Sequence, residues 1–433
     1  MKKMRKRGVS AILAATVLTG TVLVSTPSWG SSTTTLTIWE NYGTEQNAVA
    51  LKNLAKAFTA QNPSIKINVV SQPASSYFSL LQSRAITHNG PDMAVMWTGL
   101  YALKYSKFLD NLGGSGGVPA KDLAKMQGLS WMSPQLKGTS SPLVIPLETQ
   151  FYIGFYNKKL FTQAGIKSVP TDWTQLYAAC SALKKIHVTP LTYGNGGQGL
   201  GAEFYPWYDM SYMMIGNYSV NQWKNLYNGS IKWTAPANVT ALANWAKLKT
   251  LGCTNPDVTT KTNNIQDFET GKAAMLMDGT WDTLQYTKSM GSKVAAFVPP
   301  FSVKPIKGVV QFPGDGISAM SYSSHKADDM KFLDFMTTAK AASIINAAGL
   351  IPDIKGTTTS NSVNQQMLNF VTKQHMAVYP MIDNVTQVNV VNTGSSELPT
   401  VLAGQATALA ALTKMSQTLN ALPASQRGSQ YAG

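Results

Sequence analysis

PLVIPLETQFYIGFYNKKLF, residues 142–161, is where the chain changes rhythm. Two apolar strand-like segments flank a Leu-Glu-Thr-Gln step, and a helix is expected to start near Asn157. Upstream the pattern is regular. TLTIW (35–39) alternates and is β-branched, as a strand does, and NAVALKNLAKAFTAQNP (47–63) has helical spacing and a Pro stop. IKINVVSQ (65–72), YFSLLQSRAITHNG (77–90) and DMAVMW (92–97) continue as strand, helix and strand. Strand and helix in alternation predict a parallel sheet covered by helices, with right-handed crossovers. Downstream, VPTDWTQLYAACSALKK (169–185) reads as a helix capped by Thr171 or Asp172. TPLTYG (189–194), AAMLMDG (273–279) and VAAFVPPF (294–301) read as strands, and GDGISAMS (314–321) follows them. GAEFYPWYDMSYMMIG (201–216), ANVTALANWAKLKTLG (237–252), 327–349 and 398–422 read as helices. No internal repeat and no long low-complexity linker separates the halves. Two α/β lobes sharing the chain in alternation fit this better than two independent beads.

The first thirty residues carry an export signal: basic MKKMRKRG, an apolar run with small residues, then Ser28 and Gly30 where a signal peptidase reads. Cleavage after Gly30 would leave Ser31 first. The Cys of a lipoprotein signal does not follow the apolar run, and no later segment is apolar enough to span a bilayer. Losing Lys2, Lys3, Arg5, Lys6 and Arg7 lowers the formal charge from +15 to +10. The remaining basic residues are dispersed, which argues against a nucleic-acid partner. Only 13% of residues are charged, so the surface is expected to be largely uncharged and polar, and tolerant of acid. Cys180 and Cys253 could form a disulfide in an exported protein or remain two buried thiols.

Several motifs fail their own chemistry. GNGGQG (194–199) has the dinucleotide glycines, but no acid ends a following strand at the right distance, so it reads as a cleft-rim loop. TGKAAM (270–275) lacks the first glycine and the Ser or Thr of a phosphate loop. GGSGG (113–117) lacks the strand that a nucleophile elbow needs. His88, His187, His325 and His375 have no metal spacing. Paired carboxylates among Glu40, Asp92, Glu148, Glu203, Asp278 and Asp315 keep a glycan-cleaving enzyme as an alternative.

A pattern survives these exclusions: aromatic rings beside polar groups at successive strand ends. Trp39-Glu40-Asn41-Tyr42 follows the first strand, Trp97 the third, and Trp281 follows Asp278-Gly279. Glu148-Thr149-Gln150 lies between the central strands, and Tyr205, Trp207 and Tyr208 follow the Gly loop. Ligands of open α/β sheets sit beyond strand carboxyl ends. Sugars pack C–H faces on flat rings and pair their hydroxyls with carboxylates and amides.

Five stretches in order resemble the extracellular solute-binding proteins, family 1, of ABC importers, the maltose-binding-protein-like group. They are LTIWENYG, NGPDMAVMW, PLVIPLETQFYIGFYNKKLFTQAGI, VPTDWTQL and FETGKAAMLMDGTW, across about residues 34–422. The resemblance implies a two-lobed periplasmic-binding-protein fold of type II. Each lobe would be a mixed, mostly parallel sheet flanked by helices, with hinge strands between. Crossings are expected near Pro146–Phe151, in the 299–308 region and near 350. Residues 31–146 and 308–349 would form lobe one, and 147–307 and 350–433 lobe two. The implied function is to bind a mono- or oligosaccharide in the inter-lobe cleft and deliver it to a membrane permease. The protein would be a monomer without cofactor, metal or catalysis, in the periplasm or at the outer face of the cell membrane. Expected ligand contacts are Trp39, Glu40, Asn41, Tyr42, Asp92, Trp97, Glu148, Gln150, Tyr205, Trp207, Gly279, Trp281 and Asp315. Thr280 stands where the family carries Pro, which bears on the pose of Trp281. The same scaffold could instead hold a polyol, polyamine or peptide.

Overall fold

The computed structural model describes residues 33–427 apart from 44, 98, 128, 130–141 and 195–200. The export signal and most of the GNGGQG loop lie outside those residues. The strands are β1 (Thr34–Glu40), β2 (Ile65–Ser71), β3 (Met93–Met96), β4 (Ile145–Pro146), β5 (Thr149–Asn157), β6 (Thr189–Thr192), β7 (Ala273–Gly279), β8 (Val294–Phe297), β9 (Gly308–Pro313), β10 (Gly316–Ala319) and β11 (Ala377–Tyr379). They form two sheets, ordered β2-β1-β3-β10-β4 and β11-β9-β5-β7-β6, with β8 also paired to β5.

In the first sheet β2 and β3 run parallel to β1, and β10 runs against β3 and β4. In the second, β5 runs against β7, β8 and β9, while β6 and β11 run parallel to their neighbours β7 and β9. Each sheet therefore has one reversed strand, and each reversed strand follows a crossing from the other sheet. Parallel neighbours within a sheet are joined by long crossovers that return the chain to the starting end. A chain arriving directly from the partner sheet enters at the facing end and must run away from it.

Two hydrophobic cores match the two sheets. Leu36, Ile38, Leu51, Phe58, Val95, Ile317 and Phe332 belong to the first. Phe151, Phe155, Leu176, Trp245, Phe268, Met275 and Val310 belong to the second. Fully burying a large aliphatic or aromatic side chain contributes about 1.5–3 kcal/mol, so these clusters define the two lobes energetically. The Gln46–Gln61 helix turns Leu51, Leu54 and Phe58 inward at helical spacing. The Trp173–Lys185 helix buries Trp173, Leu176, Cys180 and Leu183, and Asp172 rather than Thr171 caps it, accepting from the Gln175 amide at 2.9 Å. Cys180 and Cys253 are joined as a disulfide with Cα atoms 5.3 Å apart, which ties this helix to the segment after the Pro236–Thr250 helix.

Three expectations are corrected. Residues 308–313, assigned to the first lobe from sequence, are β9 of the second sheet, so the middle crossing lies at Gly314–Asp315 rather than in the 299–308 region. Val309, Val310 and Phe312 pack in the second core, which decides the assignment. The helix expected over 327–349 is two, Lys326–Phe335 and Ala339–Ala347, because the Thr338 side chain caps a new start by accepting from the Ala341 amide. The tail is likewise two helices, Val388–Leu402 and Ala408–Ala421, separated by Gly404 at φ 77°. Leu350 packs in the first core and Ile351 in the second.

Candidate functional site

Strand register brings the facing ends together. Gly316 pairs with both Met96 and Pro146, Thr149 pairs with Pro313, and Tyr152 pairs with Gly279. The carboxyl ends of β3, β4, β7 and β9 and the starts of β5 and β10 thus meet in one region. The carboxyl end of β1 joins them beside β3.

Period-two alternation along β1 places Glu40 on the buried face with Leu36 and Ile38, fully out of solvent. The Tyr42 amide donates to Glu40 Oε2 at 2.6 Å, while Oε1 has no partner in the protein. The chain then turns into the Gln46–Gln61 helix, with the Glu45 amide donating to the Tyr42 carbonyl at 3.0 Å. Tyr42 is buried with its hydroxyl unpartnered, and burial beside the Asp315 and Glu148 carboxylates pushes that hydroxyl well above its usual range.

Glu148 sits in the first crossing, fully buried. Its Oε1 accepts from Asn47 Nδ2 at 2.5 Å and from Gln150 Nε2 at 2.9 Å, and its Oε2 has no partner in the protein. Burial pushes its carboxyl up to about 7 against the opposing pull of those two amides. The crossing backbones hold each other: Gly314 N donates to Glu148 O at 2.7 Å, Leu147 N to Asp315 O at 2.9 Å, and Thr149 N to Ile351 O at 2.8 Å. Thr149 Oγ1 donates to Asp353 Oδ1 at 2.6 Å, which joins the first and third crossings. Asp315 is raised well above the carboxylate range by burial and by Glu148.

From the second lobe, Asp278 accepts from the Gly279 amide at 2.7 Å and from the Tyr286 hydroxyl. The Trp281 ring lies on the Cα of Gly279, where any Cβ would fall inside it. Glycine is needed there for close approach, since its φ of −110° suits any residue. Trp281 keeps a partly exposed ring, as do Trp39 and Trp97; Trp97 meets Phe78 edge-on at 4.9 Å.

Glu40, Asn41, Tyr42, Trp97, Glu148, Gln150, Gly279, Trp281 and Asp315 therefore share the region where strand ends meet, with Trp39 as the last residue before Glu40. Two expected contacts do not. Asp92 precedes β3 at the opposite end of the sheet, accepting from Thr37 N at 2.8 Å and Ser323 Oγ at 3.1 Å and pairing with His325 Nδ1 at 2.9 Å. Trp207 is fully buried in the second core, against Trp233 and the Cα of Gly394. The Tyr205 side chain lies outside the described residues.

Sequence reasoning missed Glu45, Asn47 and Asp282. Glu45 is raised well above the carboxylate range by burial and by Asp315, Glu148, Asp278 and Glu40, and Asp282 by burial and Asp278. The available signal was position: Glu45 and Asn47 open the helix directly after the first strand end. Among the described residues no group of three or more His, Cys, Asp or Glu has metal-holding geometry, and no helix is long and apolar enough to cross a membrane.

The family model of bacterial extracellular solute-binding proteins matches residues 42–343. A Brucella abortus (strain 2308) protein named only as a binding protein is 24% identical over 303 residues, 66% of this chain and 67% of its own. Among solved structures, a chitin oligosaccharide binding protein superposes with a TM-score of 0.75 at 21% identity, covering 89% of this chain and 98% of the other. The GacH receptor of Streptomyces glaucescens GLA.O, solved unliganded and with acarbose, gives 0.73 at 18% identity over 89% and 97%. A bacterial solute receptor with a preference for β-D-galactopyranose gives 0.76 at 16% identity over 90% and 99%. The fold is the two-lobed substrate-binding protein fold, and the chain belongs to the bacterial extracellular solute-binding proteins.

Proposed function

We propose that this protein is the extracytoplasmic receptor of an ABC importer and binds a carbohydrate between its lobes. The observation that carries the reading is the gathering of strand ends that bring the buried Glu40, Asn41, Glu148 and Gln150 into one region with the partly exposed Trp97 and Trp281. Rings supply flat apolar faces, and Glu40, Asn41, Glu148 and Gln150 supply hydroxyl partners. The structural neighbours named above as binding chitin oligosaccharide, acarbose or galactopyranose support the substrate class.

A ligand that touches both lobes favours the closed arrangement by its differential affinity for it, with the three crossings as hinge. The closed form docks on a membrane permease, releases its cargo and performs no chemistry on it. The receptor acts as an exported monomer, without cofactor, metal or nucleic acid.

The test is thermal unfolding of the mature protein against mono- and oligosaccharides, polyols, peptides and polyamines. A ligand at a hundred times its Kd adds about 2.7 kcal/mol, visible as a higher Tm. A shift with one sugar class, and that sugar recovered intact, is the expected result. Shortened products would point to a glycan-cleaving enzyme, and a shift only with non-sugars would remove the carbohydrate reading.

A further inference from the structure

The charges at the meeting of the strand ends are one-sided. Glu40, Glu45, Glu148 and Asp315 share each other's fields there. Among the described residues no Lys, Arg or His forms an ion pair with any of these four. The lysines pair elsewhere: Lys125 with Asp122, Lys261 with Asp267, Lys326 with Asp110, Lys331 with Asp328, Lys414 with Glu397. A chain of net charge +15, or +10 without the five basic residues of its export signal, has thus concentrated uncompensated acid where its lobes meet. The Gln46–Gln61 helix begins there and supplies only the partial positive charge of a helix N-terminus.

The unmet hydrogen-bonding capacity is also one-sided. Glu40 Oε1, Glu148 Oε2, Asn41 Oδ1 and Asn47 Oδ1 are buried and find no partner in the protein; the two amide oxygens accept, and a carboxyl oxygen accepts once its group is ionised. The Tyr42 hydroxyl, also buried and unpartnered, lies in the field of Asp315 and Glu148. A neutral hydroxyl brings lone pairs as well as a proton, so it answers such a set incompletely. An ammonium group has three donors, no acceptor and a positive charge. It satisfies the acceptors and restores the ionised form of carboxyls that burial otherwise disfavours.

We propose that the cleft selects a carbohydrate bearing a free, protonated amino group, held among Glu40, Glu148 and Asp315. This rests on the carbohydrate reading above: the indoles take the sugar face and the acids take the nitrogen.

The test is calorimetric titration of the mature protein at pH 6.5 with three matched probe sets. These are glucosamine oligosaccharides, their N-acetylated counterparts and neutral gluco-oligosaccharides, in α and β linkage, with spermidine as a fourth probe. The expected result is binding of the free-amine sugar at least tenfold tighter than of either matched sugar. Glu148→Gln, and separately Asp315→Asn, should abolish that preference while keeping a cooperative thermal transition. Equal or tighter binding of the neutral or acetylated sugar overturns the amine inference and leaves the carbohydrate reading intact. Binding of spermidine with no saccharide bound overturns both. A free-amine preference that survives both substitutions overturns the assignment of the nitrogen to these acids.

Discussion

Two buried carboxylates, Asp209 and Glu148, are held by burial at about 7 and yet are built differently. Asp209 lies in the second core, where both oxygens are used. Tyr152 Oη donates to Oδ1 at 2.9 Å, and Trp245 Nε1 at 3.1 Å and the Tyr193 hydroxyl donate to Oδ2. Its donors come from β5, from the end of β6 and from the Pro236–Thr250 helix, so it ties one lobe together. Glu148 lies in a crossing, takes both its donors on one oxygen and leaves the other without a partner in the protein. Equal burial therefore separates two roles by pairing: the saturated acid is structural, and the half-saturated one has capacity left for a ligand.

The comparison breaks most visibly at Asp209. Asp209→Ala removes the acceptor of the Tyr152 and Tyr193 hydroxyls in the core and leaves the Trp245 indole only its 3.3 Å bond to Tyr193 Oη, at roughly 1–3 kcal/mol for each orphan that cannot relax. A loss of about 3–5 kcal/mol in denaturant unfolding is expected. A loss below about 1 kcal/mol would mean that the three donors find other partners. Separating Cys180 from Cys253 by double Ser substitution tests the same lobe without touching its polar hub, with an expected loss of about 2–4 kcal/mol. Unchanged stability under reducing conditions would show that the disulfide constrains little.

Acidity sharpens the contrast. Both carboxyls titrate higher in the folded state than in the unfolded chain, so between about pH 4.5 and 7 the folded protein binds more protons. The contribution of these two groups to stability then falls as pH rises through that window and is largest below it. Glu148→Gln should raise the ligand-free Tm at pH 8 and flatten its decline from pH 5, by on the order of 1–3 kcal/mol. An identical pH profile in wild type and variant would deny Glu148 that contribution.

The smallest expected effects concern the indole. Trp281→Ala should weaken sugar binding by about 2 kcal/mol, as central aromatics commonly do, with little change in Tm. Gly279→Ala displaces the same ring without removing it and should cost affinity about tenfold, or about 1.4 kcal/mol. Full affinity in the Gly279 variant would show that the observed ring position is not the binding one.

Much of this was legible from local pattern. Alternation in TLTIW, helical spacing in 47–63 and the apolar AAMLMDG identify elements because each buries one face or both. The strand-end positions of Glu40, Glu148 and Trp281 were legible, Glu40 as the last residue of β1 and the other two just past β4 and β7. Asp92 misled because a strand has two ends, and only pairing direction says which one faces the cleft. Trp207 misled because the Gly201–Ile215 helix is apolar nearly all round, so spacing could not choose a face. Glu45 and Asn47 gave no chemical signal of their own, being ordinary residues of a helix start.

The sequence by itself determined the two α/β lobes and which residues stand at strand ends, since these depend on period and composition over ten or twenty residues. Only the tertiary structure decided that 308–313 joins the second sheet, that β5 and β10 run against their neighbours, and that one acid is saturated while another is not. Those facts depend on which segments meet across a hundred or more residues, as Asn47 meets Glu148, and no local pattern records such a meeting.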